Sequence, residues 1–566
     1  MTSAFQRERT DLTMRFLISP ISSTLLSLAL HTTASALALP SPTSNTTSDP
    51  TAILSYGTFQ GRYSEDYNIS YFRKIPFAAP PVGPNRFRAP QPPLPITNGT
   101  YDSDGTFDMC PQRTVNGSED CLFLGLYSRP WTEGQAPRPV MVDFYGGGFI
   151  QGGGSLRIPP SAYPILNVSS ENDYITILPN YRVNAFGLLP GKAVKDDPES
   201  DLNPGLLDQH AVLQWVQQHI EAFGGNPRDV TIWGQSAGAG SVVAQAIANP
   251  EMQSGLITRA LASSPFWPHS YRYDSPEAEA IYERFASLAG CFGPESLACL
   301  KAADVQTLRE ASLTISASHT YNTSSYTWAP VIDDVFLTLP LSQAGENILA
   351  NLPGGAWGMY NTHEGENFIP SGMQNTTANT SAPIGDGSTF NSSTASLESW
   401  VAGFLPNLTI SQRDELLTTH YPAAGSTETI TAYNDTYTRA GLIYRDLILA
   451  CPAYWLGAAQ PGNSYLGEYA IPSAKHGSDT QYWNQVNDVQ VEDPVTYEGM
   501  AGAFASWFAT GDPNARKLTE EEQEGVAVLE SREEWVVRMD DFGVEGIGQL
   551  QGRCAFWQSV AENVPV

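Results

Sequence analysis

Val230-Thr231-Ile232-Trp233-Gly234-Gln235-Ser236-Ala237-Gly238 joins a short apolar run directly to a Gly-x-Ser-x-Gly pattern. The run Val230 to Trp233 reads as a buried strand, and the small residues from Ala237 to Ala248 suit a helix. A serine at such a junction sits on a tight turn that lifts its hydroxyl clear of the sheet. A side chain at Gly234 or Gly238 would collide with the neighbouring strand or helix. The pattern marks Ser236 as a candidate nucleophile.

Upstream, Ala211, Val212, Trp215, Val216 and Ile220 recur at helical spacing between Asp208 and Phe223, and Gly224-Gly225 supplies the stop. Two further apolar runs, Val140-Met141-Val142-Asp143-Phe144-Tyr145 and Tyr174-Ile175-Thr176-Ile177-Leu178, read as buried strands. Strand, helix, strand, sharp turn and helix in that order predict a doubly wound α/β core, a parallel sheet covered on both faces.

A hydroxyl is a weak nucleophile near neutral pH, so Ser236 needs a base within hydrogen-bond reach and an acid that orients the base. In a fold of this kind the chain order is Ser, then Asp or Glu, then His. Of eight histidines, only His420 and His476 follow both Ser236 and the best acidic candidate, Glu364. His420 closes a predicted surface helix, whereas His476 lies in the loop Lys475-His476-Gly477-Ser478-Asp479, a setting suited to a catalytic base. The run Gly146-Gly147-Gly148 ends a core strand ahead of the nucleophile. The backbone N–H groups of Gly147, Gly148 and Ala237 are candidate donors to a developing oxyanion. No His-x-His or His-Glu-x-x-His pair occurs, so no metal is implied, and this chemistry needs no cofactor.

Composition adds a compartment. A basic start at Arg15, an apolar run from Phe16 to Leu30 and the small residues Ala34 to Ala38 predict a signal peptide over residues 1–36, with Met14 as an alternative start. The run is too short for a membrane span, so export without an anchor is expected. A formal charge of −29 predicts a surface that repels nucleic acid. Sequons at Asn45, Asn68, Asn98, Asn116, Asn167, Asn322, Asn375, Asn379, Asn391, Asn407 and Asn434 suit a secretory glycoprotein. Residues 39–56, rich in Ser, Thr and Pro, read as a mobile lead-in. Six cysteines allow fifteen pairings; spacing favours Cys110 with Cys121 and Cys291 with Cys299, leaving Cys451 with Cys554.

From about residue 54 onward the chain resembles the type-B carboxylesterase and lipase family, which includes the cholinesterases, and in particular secreted carboxylesterases of the fungal type. The resemblance is carried by Ser118-Glu119-Asp120-Cys121-Leu122-Phe123-Leu124, Tyr145-Gly146-Gly147-Gly148-Phe149, Asn180-Tyr181-Arg182-Val183, Asn203-Pro204-Gly205-Leu206-Leu207-Asp208-Gln209, Phe223-Gly224-Gly225-Asn226-Pro227 and the nucleophile pentapeptide. It implies a single α/β-hydrolase domain over 54–566, with a mostly parallel central sheet, helices on both faces and large insertions. It also implies Glu364 as the acid, His476 as the base, Gly147, Gly148 and Ala237 as oxyanion donors, and three intrachain bridges with Cys554 closing onto Cys451.

The activity the resemblance implies is acyl-enzyme hydrolysis of small to medium carboxylic esters, with a small-molecule ester and water as the reaction partners. Two departures bear on substrate. The family's usual Glu before the nucleophile is Gln235 here, and only ten residues, none aromatic, separate Cys110 from Cys121. That loop offers no cation–π platform for a choline ester and no long apolar flap. The rival readings are a lipase for long-chain esters and a non-catalytic binding module; Phe266 and Trp267 are candidates for the acyl pocket. Oligomeric state is left open.

Overall fold

The order of the strands in the sheet is not their order in the chain, and the central ones run parallel, which places the loops that follow them along one edge. In the computed structural model the described residues are 49–566 except 155–156, 248–251, 253–254, 320–323, 326, 348–351, 378–388, 461, 517 and 519–522. The proposed signal peptide, residues 39–48 of the lead-in, Asn45, Asn322 and Asn379 lie outside them.

Among the described residues fourteen strands are formed: β1 Thr51–Leu54, β2 Gly57–Gln60, β3 Arg62–Ser64, β4 Ile69–Pro76, β5 Thr100–Asp102, β6 Phe123–Ser128, β7 Arg138–Phe144, β8 Ile175–Pro179, β9 Gly225–Gln235, β10 Arg259–Ser263, β11 Gly355–Asn361, β12 Ser464–Tyr469, β13 Glu533–Arg538 and β14 Asp541–Gly546. An eleven-stranded sheet runs β14-β13-β12-β11-β10-β9-β7-β8-β6-β4-β3, and β1, β2 and β5 make a small second sheet. From β8 through β13 all neighbours are parallel, and antiparallel strands flank this block on both sides. Parallel strands need crossovers, so their carboxyl ends, with the loops that follow them, line up on one edge.

Alternation along the strands divides the core. Val140, Val142 and Phe144 of β7 and Val230 and Ile232 of β9 pack with Ala239, Val242 and Val243 of the helix Ala237–Ile247. Met141 and Trp233 point the other way, into a cluster with Phe504, Trp507 and Phe508 of the helix Pro494–Thr510. Both faces are therefore covered, as central strands apolar on both sides require. A third cluster, with Phe186, Phe285, Leu300 and Trp328, gathers the inserted helices.

The helix read over 208–223 is Pro204–His219, continued by a 3-10 turn to Phe223 and stopped at Gly224 (φ 75°). The strand read at Val230–Trp233 begins earlier, at Gly225, which pairs with Arg138 across an irregularity in the register. The reading of a mobile lead-in through residue 56 is corrected by β1. Thr51–Leu54 pairs antiparallel with β2, with Ala52 and Leu54 buried and Thr51 and Ile53 exposed. Cross-strand pairing overrides a composition that looked disordered.

All six cysteines are bonded, Cys110 to Cys121, Cys291 to Cys299 and Cys451 to Cys554. The last bridge spans 103 residues and ties the helix Cys451–Ala458 to the helix Gly548–Ser559. Among the sequons described, Asn68, Asn98, Asn116, Asn167, Asn375, Asn407 and Asn434 are exposed. Asn391 is half-buried, and its Oδ1 accepts from Ser393 and Ser396 at the start of a helix. Among the described residues no helix is long and apolar enough to cross a membrane.

Candidate active site

Four loops on the carboxyl edge of the parallel block meet: the glycine run after β7, Ser236 after β9, the turn after β11 and the loop after β12. Ser236 stands between the last residue of β9 and the first of the helix Ala237–Ile247, at φ 59°. That backbone conformation is uncommon for a residue with a side chain and is held here by its surroundings. Ser236 N–H donates to Ser263 O at the end of β10 (3.1 Å), and Ser236 O accepts from Phe266 N (2.9 Å) and Gly240 N (2.9 Å).

The turn packs directly on the glycine run. A Cβ at Gly146 would stand 2.5 Å from Gln235 O and 2.9 Å from Ser236 Cβ. Gly147 and Gly148 follow at φ 116° and 65°. Ala237 opens its helix, where a backbone N–H has no intrahelical acceptor.

The hydroxyl of Ser236 donates to His476 Nε2 at 2.8 Å, and His476 Nδ1–H donates to Glu364 Oε2 at 2.8 Å. A carboxylate only accepts, so Nδ1 carries the proton and Nε2 presents its lone pair to the serine. The Gln235 amide nitrogen is 3.5 Å from the same Nε2. Glu364 is fully buried, and its second oxygen accepts from Asn361 N (3.0 Å). The Phe368 ring meets the imidazole edge-on at 5.0 Å.

The turn that carries Glu364 is fixed from the core side as well. Thr362 O accepts from buried Arg445, and Thr362 Oγ1 donates to buried Glu468 (2.7 Å). Asp479, three residues after His476, accepts from Asn361 Nδ2 (3.1 Å) and Trp483 Nε1 (3.1 Å). Burial pushes its carboxyl above the usual range, against the pull of those two bonds.

His420 is not brought to this site. It ends a π-helical turn, with its ring 4.4 Å from Phe556. Phe266 and Trp267 are almost wholly buried; Phe266 stacks on Phe368 (5.6 Å) and Trp267 meets Phe149 edge-on (5.8 Å). Residues missed by the sequence reading are Asn361, Glu366, Asn367 and Lys475, all near Glu364 or His476. Their only signal was closeness in the chain to Glu364 and His476. Among the described residues no group of three or more His, Cys, Asp or Glu is placed to hold a metal ion.

On β7, three residues before the glycine run, the carboxyl of half-buried Asp143 takes part in no hydrogen bond or ion pair among the described residues, and burial raises it to about 7. The folded chain thus binds this proton more tightly than the unfolded one, so the protonated carboxyl favours folding at low pH, and that contribution fades as pH rises from 3.8 to about 7. Asp143→Asn is expected to raise Tm relative to wild type above about pH 7, with the gap closing towards pH 4. Thermal unfolding followed across that range checks it; a gap that is constant or opens in acid contradicts it.

A carboxylesterase family model matches residues 48–551. The chain is 31% identical to secreted lipase 1 of Botryotinia fuckeliana over 303 residues, 48% of this chain and 52% of that protein. It is 27% identical to carboxylesterase patB of Aspergillus clavatus over 484 residues, 82% of this chain and 80% of the relative. The match spans about half the length of the secreted lipases of B. fuckeliana and Gibberella zeae. The crystal structure of EstA of Aspergillus niger superposes with a TM-score of 0.76 at 25% identity, covering 92% of this chain and 99% of the other. A mostly parallel sheet with its serine on a strand-to-helix turn, and a family match over most of the chain's length, lead to one conclusion: this chain is an α/β-hydrolase-fold protein and belongs to the carboxylesterase family.

Proposed function

We propose that the chain is a secreted serine carboxylic-ester hydrolase, one domain over 54–566 behind a cleaved signal peptide, acting on small to medium esters. The observation that carries this reading is the relay in which Ser236 Oγ is 2.8 Å from His476 Nε2 and His476 Nδ1 is 2.8 Å from Glu364 Oε2. Ser236 Oγ attacks the ester carbonyl carbon as its proton passes to His476 Nε2. The carbonyl oxygen takes up the charge facing the N–H groups of Gly147, Gly148 and Ala237, and each such donor contributes about 3 kcal/mol to the transition state. The tetrahedral intermediate collapses, the C–O bond breaks, and His476 returns the proton to the departing alcohol. Water then attacks the acyl-enzyme with His476 again as base, which frees the acid and Ser236. Glu364 holds the imidazole in the required tautomer and stabilises its protonated form.

Secretion is supported by the three disulfides, which persist in oxidising compartments, and by relatives named as secreted. Short esters are favoured over lipid droplets because the Cys110–Cys121 loop has a sequence separation of only 11, too short for a long apolar lid. With p-nitrophenyl acetate, butyrate and palmitate, kcat/KM is expected to be at least about tenfold higher on the two short esters. Faster turnover of palmitate, rising sharply once the substrate forms droplets, would favour the lipase reading.

A further inference from the structure

We propose that Glu366, Asn367 and Lys475 are positioning residues for this acyl transfer, a latch that fixes the loop carrying the base to the turn carrying the acid. The inference rests on the reading of Ser236, His476 and Glu364 given above.

The base has no regular element of its own. β12 ends at Tyr469, the next helix starts at Thr480, and residues 470–479 form neither helix nor strand. The place of His476 is therefore set by contacts from elsewhere, and three consecutive residues, 474 to 476, are each held by the acid turn. Ala474 O accepts from His363 N (2.9 Å). Lys475 O accepts from Asn361 Nδ2 (2.8 Å), and the Lys475 ammonium pairs with Glu366 Oε2. The backbone N–H of His476 itself donates to Asn367 Oδ1 (2.9 Å).

Glu366 is the hub of the latch. One carboxylate oxygen meets Lys475 and the other accepts from His363 Nδ1 (2.8 Å). Burial is the largest influence on this carboxyl and would raise it, but the bonds from His363 and Lys475 outweigh burial and leave it below the usual range. Only 8% of the Glu366 side chain is exposed against 33% for Lys475, so the pair is shielded on one side and water replaces it poorly. Lys475 adjoins the base and Glu366 lies two residues past the acid, so the ion pair closes a small ring through the Glu364–His476 hydrogen bond. No member of the latch touches the reacting atoms. Asn367 is exposed, yet its side-chain oxygen serves the amide of the base.

Released from the latch, the imidazole keeps Glu364 as a partner but is no longer held with Nε2 aimed at Ser236 Oγ, and small misplacements of this kind are costly in rate. The test compares Glu366→Gln, Asn367→Ala and Asn367→Asp with wild type on p-nitrophenyl butyrate, with kcat expressed per active site titrated by the pre-steady-state burst. The first two variants are expected to lose roughly 10- to 100-fold in kcat with KM changed less than about twofold. Asn367→Asp retains the acceptor and is expected to stay within a few-fold of wild type, with the acid limb of its pH–rate profile moved upward by the new charge. A lower Tm or fewer titratable sites, with kcat per site and the acid limb unchanged, would overturn the latch alone. Wild-type turnover that does not depend on Ser236 would overturn the latch together with the assignment beneath it.

Discussion

Ser236→Ala is expected to lower kcat on p-nitrophenyl butyrate by about a million-fold, to the level left by binding and the oxyanion donors alone. The fold should survive the change. The backbone at φ 59° is held by bonds from Phe266 and Gly240 and to Ser263, none of which uses the hydroxyl. Alanine tolerates that conformation about as well as serine does. The substitution removes the 2.8 Å bond from the hydroxyl to His476, whose Nε2 keeps the Gln235 amide at 3.5 Å. Circular dichroism and Tm close to wild type, beside absent turnover, are the expected pair of results. Retention of more than about 1% activity would mean that another group supplies the nucleophile.

Gly238→Ala is expected to fail in a different way, losing stability and activity together. A Cβ there would lie 1.8 Å from Phe144 O and 2.7 Å from Tyr145 O, both backbone atoms that no rotamer change can move aside. Relief requires the helix Ala237–Ile247 to back away from β7, or the glycine run after Phe144 to shift, and each movement displaces one of the proposed oxyanion donors. Overpacking in cores usually costs about 1–3 kcal/mol, and this overlap falls at or beyond the upper end. A misplaced donor adds a loss of at least about 100-fold in kcat. Gly552→Ala is the control of opposite sign: it lies inside the helix Gly548–Ser559 with nothing within 4 Å of the new Cβ, and should stabilise by up to about 1 kcal/mol. Urea unfolding of both variants checks the contrast.

The core elements were legible because their signals are local. Apolar runs gave away β7, β8 and β9, and the spacing of Ala211, Val212, Trp215, Val216 and Ile220 gave away the helix before β9. The edge of the sheet was not. β1 hides its alternation among Ser, Thr and Pro and becomes a strand only through pairing with β2. Likewise, the early start of β9 at Gly225 depends on Arg138, far away in the chain.

At the site, Ser236 and the glycine run could be located from one pattern each, since strand and turn chemistry constrain them within a few residues. Acid and base were less tightly specified, because His420 and His476 satisfied the same chain-order rule and only the loop setting and the family resemblance favoured His476. What separates them is tertiary, a ring against Phe556 for one and a bond to Glu364 for the other. Asn361, Glu366, Asn367 and Lys475 were invisible for the same reason: their contacts join segments more than a hundred residues apart.

The most direct test of the central claim is trapping. An alkyl p-nitrophenyl phosphonate, whose tetrahedral phosphorus resembles the intermediate, should react with one site per chain, release one equivalent of p-nitrophenol and abolish esterase activity in step with labelling. Mass spectrometry should place the adduct on Ser236, and Ser236→Ala should take up none. Loss of activity with the label on a different residue, or full ester turnover with no label at all, would contradict the account.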